Sequence, residues 1–245
     1  MLQNTRAIIL RTVPFGDTSL VVTALTRMYG LQSYMVKGGR SISKKGQSLR
    51  PYLQPGALLD LVVYHHPTEH LQYIREMRWA KVYNKVLSNV VHHAVADFML
   101  EMLLKCIRQS ECNPELYDNI ESYFIMLDEV EPAVLANFPL HFTIFMASAF
   151  GFCPENNYQG THSLFYLREG KFLSEEFYPG LSLNAELSNY LHQFLSVTHP
   201  VTLYRIKMSR SMRRQLMQEL ENYFNIHLDG FGKMKSLKVL ESLFD

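Results

Sequence analysis

The feature that most constrains this chain is a change of hydrophobic period near residue 80. Before it, short runs rich in β-branched and aromatic residues alternate with turn residues. Thr5 to Val13, Thr18 to Met28, Leu31 to Val36, Ala57 to Tyr64 and Leu71 to Trp79 are five such runs. Pro14-Phe15-Gly16-Asp17 and Tyr29-Gly30 punctuate the first three. Runs of that length and composition predict strands. After Trp79 the apolar residues recur at three- and four-residue steps, the signature of amphipathic helices. An α+β chain in two domains follows, with a boundary near residue 80. Residues 1–80 form a small barrel or sandwich, for which the five-stranded OB-fold has the right size. Residues 81–245 form a helical domain.

The helical part has recognisable punctuation. Lys85 to Gln109 carries Val86, Val90, Val95, Phe98, Met102 and Cys106 on one face. Asn113-Pro114 opens a second helix, with proline in its favoured first turn. Pro132 to Phe150 is apolar nearly throughout and predicts a buried third helix. Ser163 to Leu173, centred on Glu169-Gly170, predicts a short hairpin. Helical pattern returns at Asn184 to Ser196, Ser209 to Phe224 and Lys235 to Phe244.

Bulk charge names no partner, because the net charge of the 245 residues is +1. Its distribution says more. No acid lies between Asp17 and Asp60, a window holding Arg27, Lys37, Arg40, Lys44, Lys45 and Arg50. Glycines in Lys37-Gly38-Gly39-Arg40 allow close backbone approach, and the serines and lysines that follow can donate to phosphate oxygens. Tyr29, Tyr34 and Tyr52 lie close by in sequence and could stack on unpaired bases. A solvated surface loop is the alternative. From Asp97 to Glu131 the balance reverses, with nine acids against Lys105 and Arg108, which reads as solvated helix faces that avoid DNA. A second basic cluster comprises Arg205, Lys207, Arg210, Arg213 and Arg214. The last three share one helical face. They could grip DNA, an acidic peptide of a partner, or the chain's own acids.

Catalytic motifs are missing. Gly38 to Gly46 lacks the register of a phosphate-binding loop, and no G-x-S-x-G or H-E-x-x-H pattern occurs. His93 and Asp97 make an i, i+4 pair that could be half of a metal site, with no second half evident. The N-terminus has no signal-peptide pattern, no apolar run is long enough to span a bilayer, and Cys106, Cys112 and Cys153 form no disulfide framework, so a reducing cytoplasm is expected.

Several motifs then occur in a fixed order: Ile8-Ile9-Leu10-Arg11, Phe15-Gly16-Asp17-Thr18-Ser19, Leu25-Thr26-Arg27-Met28-Tyr29-Gly30 and Val36-Lys37-Gly38-Gly39-Arg40, followed by Leu49-Arg50-Pro51 and Leu71 to Glu76. This opening resembles the RecO family of recombination and repair proteins, as does Ser236 to Leu240 near the end. The resemblance implies an N-terminal OB-fold and a helical C-terminal domain, with no enzymatic activity. It implies binding and annealing of single-stranded DNA, and partnership with RecR and the C-terminal tail of single-stranded-DNA-binding protein. It also implies indirect help to the recombinase RecA on DNA in the bacterial nucleoid. It places Lys37 and Arg40 in a DNA-facing region. Lys44, Lys45, Arg50, Arg27, Tyr34 and Tyr52 are assigned to DNA from local charge and proximity. Many family members hold zinc with four cysteines after the third helix. Here Gly151 to Gly180 has only Cys153, joined at most by His162, so no zinc or other cofactor is expected and packing must hold the hairpin.

Overall fold

A computed structural model describes residues 2–40, 48–108, 111–160, 162–174 and 181–243. Five strands close into a barrel in the order β1-β2-β3-β5-β4. They are β1 (Leu2–Phe15), β2 (Ser19–Thr26), β3 (Gly30–Val36), β4 (Leu58–Tyr64) and β5 (Leu71–Lys81). β1 reaches both β2 and β4 because it is long and bulged between Ile9 and Arg11. A bulge bends a strand and raises its twist, which lets one strand serve two neighbours. β3 and β5 pair in parallel and close the ring, while every other pair is antiparallel. This is the five-stranded layout expected of an OB-fold.

Alternation fills the barrel. Ala7, Ile9, Val22, Ala24, Leu59 and Val63 point inward and are fully buried. A 3-10 turn, Arg50–Leu53, sends Leu53 into the same core. Tyr83 lies beyond the last strand, and its hydroxyl donates to the Gly56 carbonyl at 2.9 Å.

The helices are α1 (Val90–Cys106), α2 (Pro114–Glu129), α3 (Pro132–Leu135), α4 (Phe138–Ala149), α5 (Ala185–Leu195), α6 (Arg210–His227) and α7 (Ser236–Leu243). The hairpin is present as β6 (Leu164–Tyr166) and β7 (Lys171–Leu173). Two boundaries differ from the pattern. α1 starts at Val90 rather than Lys85, because the N–H groups of Asn84, Lys85 and Val86 all donate to the Asp128 carboxylate and turn the chain there. The single helix predicted over 132–150 is two. Pro139 has no N–H to give the preceding turn, so the helix restarts at Phe138. α4 buries Phe138, Leu140, Phe142 and Met146, as its apolar sequence requires. Side chains cap two later helices: Asn184 accepts from the Leu187 N–H and Ser209 from the Met212 N–H.

The chain forms two compact units. One comprises 1–89 with 103–128, so α2 belongs with the barrel. The other comprises 90–102 with 129–245. No helix among the described residues is long and apolar enough to cross a membrane.

In the second unit the hairpin is tied down by backbone-directed side chains. Asn157 brackets Phe172, donating to its carbonyl and accepting from its N–H. The Tyr223 hydroxyl donates to the Phe152 carbonyl at 2.7 Å, and His227 Nε2 meets the Leu167 carbonyl at 2.8 Å. Phe152 packs edge-on against Phe224. The family's zinc does not fit here, since Cys153 is the segment's one thiol and a tetrahedral site needs four ligands.

Candidate nucleic-acid interface

The outward surface of the barrel is a set of side-chain rows running across the strands. Register places Val21, Met35, Tyr73 and Tyr64 in one row over β2, β3, β5 and β4. Tyr64 and Tyr73 are 48% and 38% exposed, enough for a ring face to be reached from solvent. Met35, Tyr73 and Tyr64 of this row line a groove of about 760 Å³ whose rim carries Lys37, Arg75 and Arg78. Lys37 Nζ sits 5.5 Å from the centre of the Tyr73 ring, a cation–π distance.

A bulge makes this rim. Val62 pairs with Glu76 and Val63 with Ile74, so Arg75 is the extra residue of β5. The inserted residue resets the alternation, leaving Tyr73 and Arg75 exposed on one side of it and Glu76 and Arg78 on the other. Ile74, Met77 and Trp79 pack on the core. Glu76 lies 3.8 Å from Arg75 and 3.7 Å from Arg78. Three cations therefore face one carboxylate, beside two exposed aromatic rings. Such a groove can hold phosphates electrostatically and bases by stacking.

The residues assigned to DNA from sequence fare differently. Lys37, Arg40 and Arg50 are all exposed. The Arg40 N–H donates to the Thr18 carbonyl, and its guanidinium reaches the Gly16 carbonyl at 3.3 Å, so it also laces two turns together. Arg50 opens the 3-10 turn. Lys44 and Lys45 lie outside the described residues. Tyr34 is a correction: it is fully buried in the barrel core, where burial pushes its phenol well above the ordinary range, and it offers no face to a base. It shares strand parity with Val36, which points inward. Tyr52 is half-buried and already stacked on Trp79, with ring centres 5.0 Å apart. Tyr64, Tyr73, Arg75 and Arg78, which line the groove, are not among the residues assigned from sequence. Strand parity in β4, where Leu59, Leu61 and Val63 point in, was the signal that could have found Tyr64.

Arg27 is also corrected. It has an opposing charge after all, supplied by α2. Its Nε and its second terminal nitrogen donate to the two oxygens of Asp118 at 2.7 and 2.9 Å. The hydrogen bond, then the charge, raises Arg27, and the same pairing holds the Asp118 carboxyl below the usual carboxylate range. The acidic stretch is therefore not a set of solvated faces throughout. Glu121, buried, binds Arg6 at 2.7 Å. Asp128 takes the three backbone N–H groups already described. Glu101 accepts from the N–H groups of Lys235 and Ser236 and from the Ser236 hydroxyl, at the start of α7.

The second basic cluster is partly committed to structure. Arg213 Nε donates to the side-chain oxygen of buried Asn137 at 3.0 Å, and Asn137 in turn donates to the carbonyls of Leu203 and Ile206. Arg214 pairs with Glu241 at 2.7 Å. Arg205 leans on its neighbour Tyr204, and Lys207 is exposed, its carbonyl taking a hydrogen bond from Tyr190. Arg210 is exposed. Arg210, Arg213 and Arg214 edge a groove of about 580 Å³ whose floor includes Pro139, Leu140, Met217, Leu237 and Leu240. His93 and Asp97 stand 3.8 Å apart on α1, both half-exposed, and among the described residues no three His, Cys, Asp or Glu side chains converge as metal ligands.

Comparison with known proteins agrees with this architecture. Residues 1–83 match the family model described as Recombination protein O N terminal, and residues 88–238 match Recombination protein O C terminal. The DNA repair protein RecO of Christiangramia forsetii is 32% identical over the whole of both chains. That of Porphyromonas gingivalis is 27% identical over the whole of both, and that of Flavobacterium psychrophilum 28% identical over 98% of each. With an OB-like barrel, a helical second part and matches over nearly its full length, the chain belongs to the RecO family of DNA repair proteins.

Proposed function

We propose that this protein binds single-stranded DNA along the barrel groove of Lys37, Tyr64, Tyr73, Arg75 and Arg78, and anneals complementary strands there without a catalytic group. The observation that carries the reading is the pairing of two exposed tyrosines in one row with three cations on the rim. Phosphate neutralisation lets two strands approach each other. Stacking on tyrosine tolerates any base and stays labile enough for hand-over. Arg40 and Arg50, exposed outside its lining, extend the positive charge beyond the groove.

The groove of the second unit favours a companion role. An apolar floor edged by Arg210 and Arg214 suits a peptide that ends in acidic and apolar residues, the chemistry of the tail of single-stranded-DNA-binding protein. Through that contact, together with RecR, the protein would help place RecA on coated DNA in the bacterial cytoplasm.

The test is binding of fluorescent oligo-dT over a salt series. Wild type is expected to show a slope of about −0.7 in log–log form per phosphate neutralised. Tyr64→Ala with Tyr73→Ala should weaken binding about tenfold or more, given roughly 1–3 kcal/mol per stacked base, and leave the slope unchanged. Lys37→Ala should lower the slope. Variants that bind as wild type does would overturn the groove assignment.

A further inference from the structure

A second face of the barrel carries arginines that already hold carboxylates in the manner of phosphates. An open cleft of about 850 Å³ sets Arg6, Arg27 and Arg78 against Asp60, Glu76 and Asp118. Arg27 grips both oxygens of Asp118, the two-point geometry a guanidinium uses equally for carboxylate and phosphate. Arg6 binds Glu121 at 2.7 Å and approaches Asp60 at 3.6 Å. Asp118 and Glu121 are three residues apart on α2 and so share one face of the helix.

Two observations separate this arrangement from ordinary surface pairing. Arg27 lies in the stretch of chain that has no acid of its own, and its counter-charge comes wholly from 91 residues further on. The pair is also accessible: the side chains of Arg27 and Asp118 are 41% and 48% exposed. A half-exposed pair adds little to stability, yet it cancels a cation where an incoming strand could reach it.

We propose that Asp118 stands where a DNA phosphate would sit on Arg27, keeps this face closed to nucleic acid, and confines a bound strand to the tyrosine groove. Opened, the face accepts a phosphodiester backbone through Arg27. The ligand class is taken from the reading of the barrel as a DNA-binding module, and the inference rests on that reading to this extent.

The experiment measures oligo-dT affinity over a fourfold range of salt for the full chain. Its variants are Asp118→Asn, Asp118→Asn with Arg27→Ala, and Asp118→Asn on the Tyr64→Ala/Tyr73→Ala background. Glu121 is left in place because it is buried. Freeing Arg27 adds one phosphate contact, so Asp118→Asn should bind tighter, with a slope about 0.7 steeper and roughly threefold greater sensitivity over that range. Arg27→Ala should cancel the gain. The proposal is overturned if Asp118→Asn binds no more tightly than wild type, or if the gain survives Arg27→Ala and so does not come from the freed guanidinium. A gain that persists while the tyrosine variant binds as wild type does would sink the groove assignment and leave this one standing. A tyrosine variant that loses affinity beside an inert Asp118→Asn would do the reverse.

Discussion

The two basic clusters look alike as sequence and are employed differently. In the first, Lys37, Arg40 and Arg50 stand exposed at the edge of the barrel, and no acid of their own segment answers them. In the second, Arg213 is bound to a buried asparagine and Arg214 to a glutamate. Arg210, exposed at the edge of the groove, and exposed Lys207 are closer in situation to the first set. Clustering of positive charge along a chain therefore does not measure how much of it a ligand can use. What decides is whether folding brings a carboxylate or a buried acceptor to each cation. Arg27 makes the point within the first cluster, since no acid of its own segment opposes it and Asp118 does.

Four measurements would break or sharpen this contrast, beginning with the largest expected effect. Asn137→Ala removes the acceptor of Arg213 and strands the carbonyls of Leu203 and Ile206. At about 1–3 kcal/mol for each buried polar group left unpaired, a loss near 3 kcal/mol is expected in urea unfolding. A loss below about 1 kcal/mol would mean that Arg213 is as free as the barrel cations.

The carboxylates provide the next test. Burial works to raise Asp128, but three backbone N–H groups outweigh it and its pKa is lowered. A carboxyl depressed in the folded state contributes stability above its unfolded value of about 3.9. That contribution is lost as pH falls through the lower folded value. Asp128→Asn should cost about 2 kcal/mol at neutral pH and flatten the acid limb of the stability curve below about pH 4. An unchanged acid limb would return Asp128 to the solvated acids it resembles in sequence.

Lys37→Glu with Arg50→Glu should then weaken oligo-dT binding by about tenfold in moderate salt and shift stability by less than about 0.5 kcal/mol, as exposed substitutions do. A large stability change would place these cations with the structural set. Smallest of all, Arg214→Ala should cost no more than about 1 kcal/mol, because an ion pair whose arginine is half-exposed is worth little. Its informative readout is affinity for an acidic peptide, which should fall if the helical groove is the docking site.

Much of the fold was legible before any coordinates. Strand-forming runs between turn residues in Thr5 to Trp79 and three-to-four spacing after Lys85 follow from local preferences, so strands and helices could be placed in order. The hairpin at Glu169-Gly170 and the helix starts at Asn184 and Ser209 are equally local. The candidate site was legible only in part. Lys37, Arg40 and Arg50 are exposed as expected. Tyr34 and Tyr52, chosen for proximity, are spent on packing, and the exposed rings are Tyr64 and Tyr73.

The amino-acid order by itself determined the element types, the acid-free basic stretch from Thr18 to Leu59 and the family motifs from Ile8 to Arg40, because each depends on residues near one another in the chain. The tertiary structure alone decided which tyrosines meet solvent, where the Arg75 bulge turns the outward row, and that Asp118 answers Arg27. Those outcomes depend on strand register and on a helix returning to the barrel from some 90 residues away, and no local spacing encodes either.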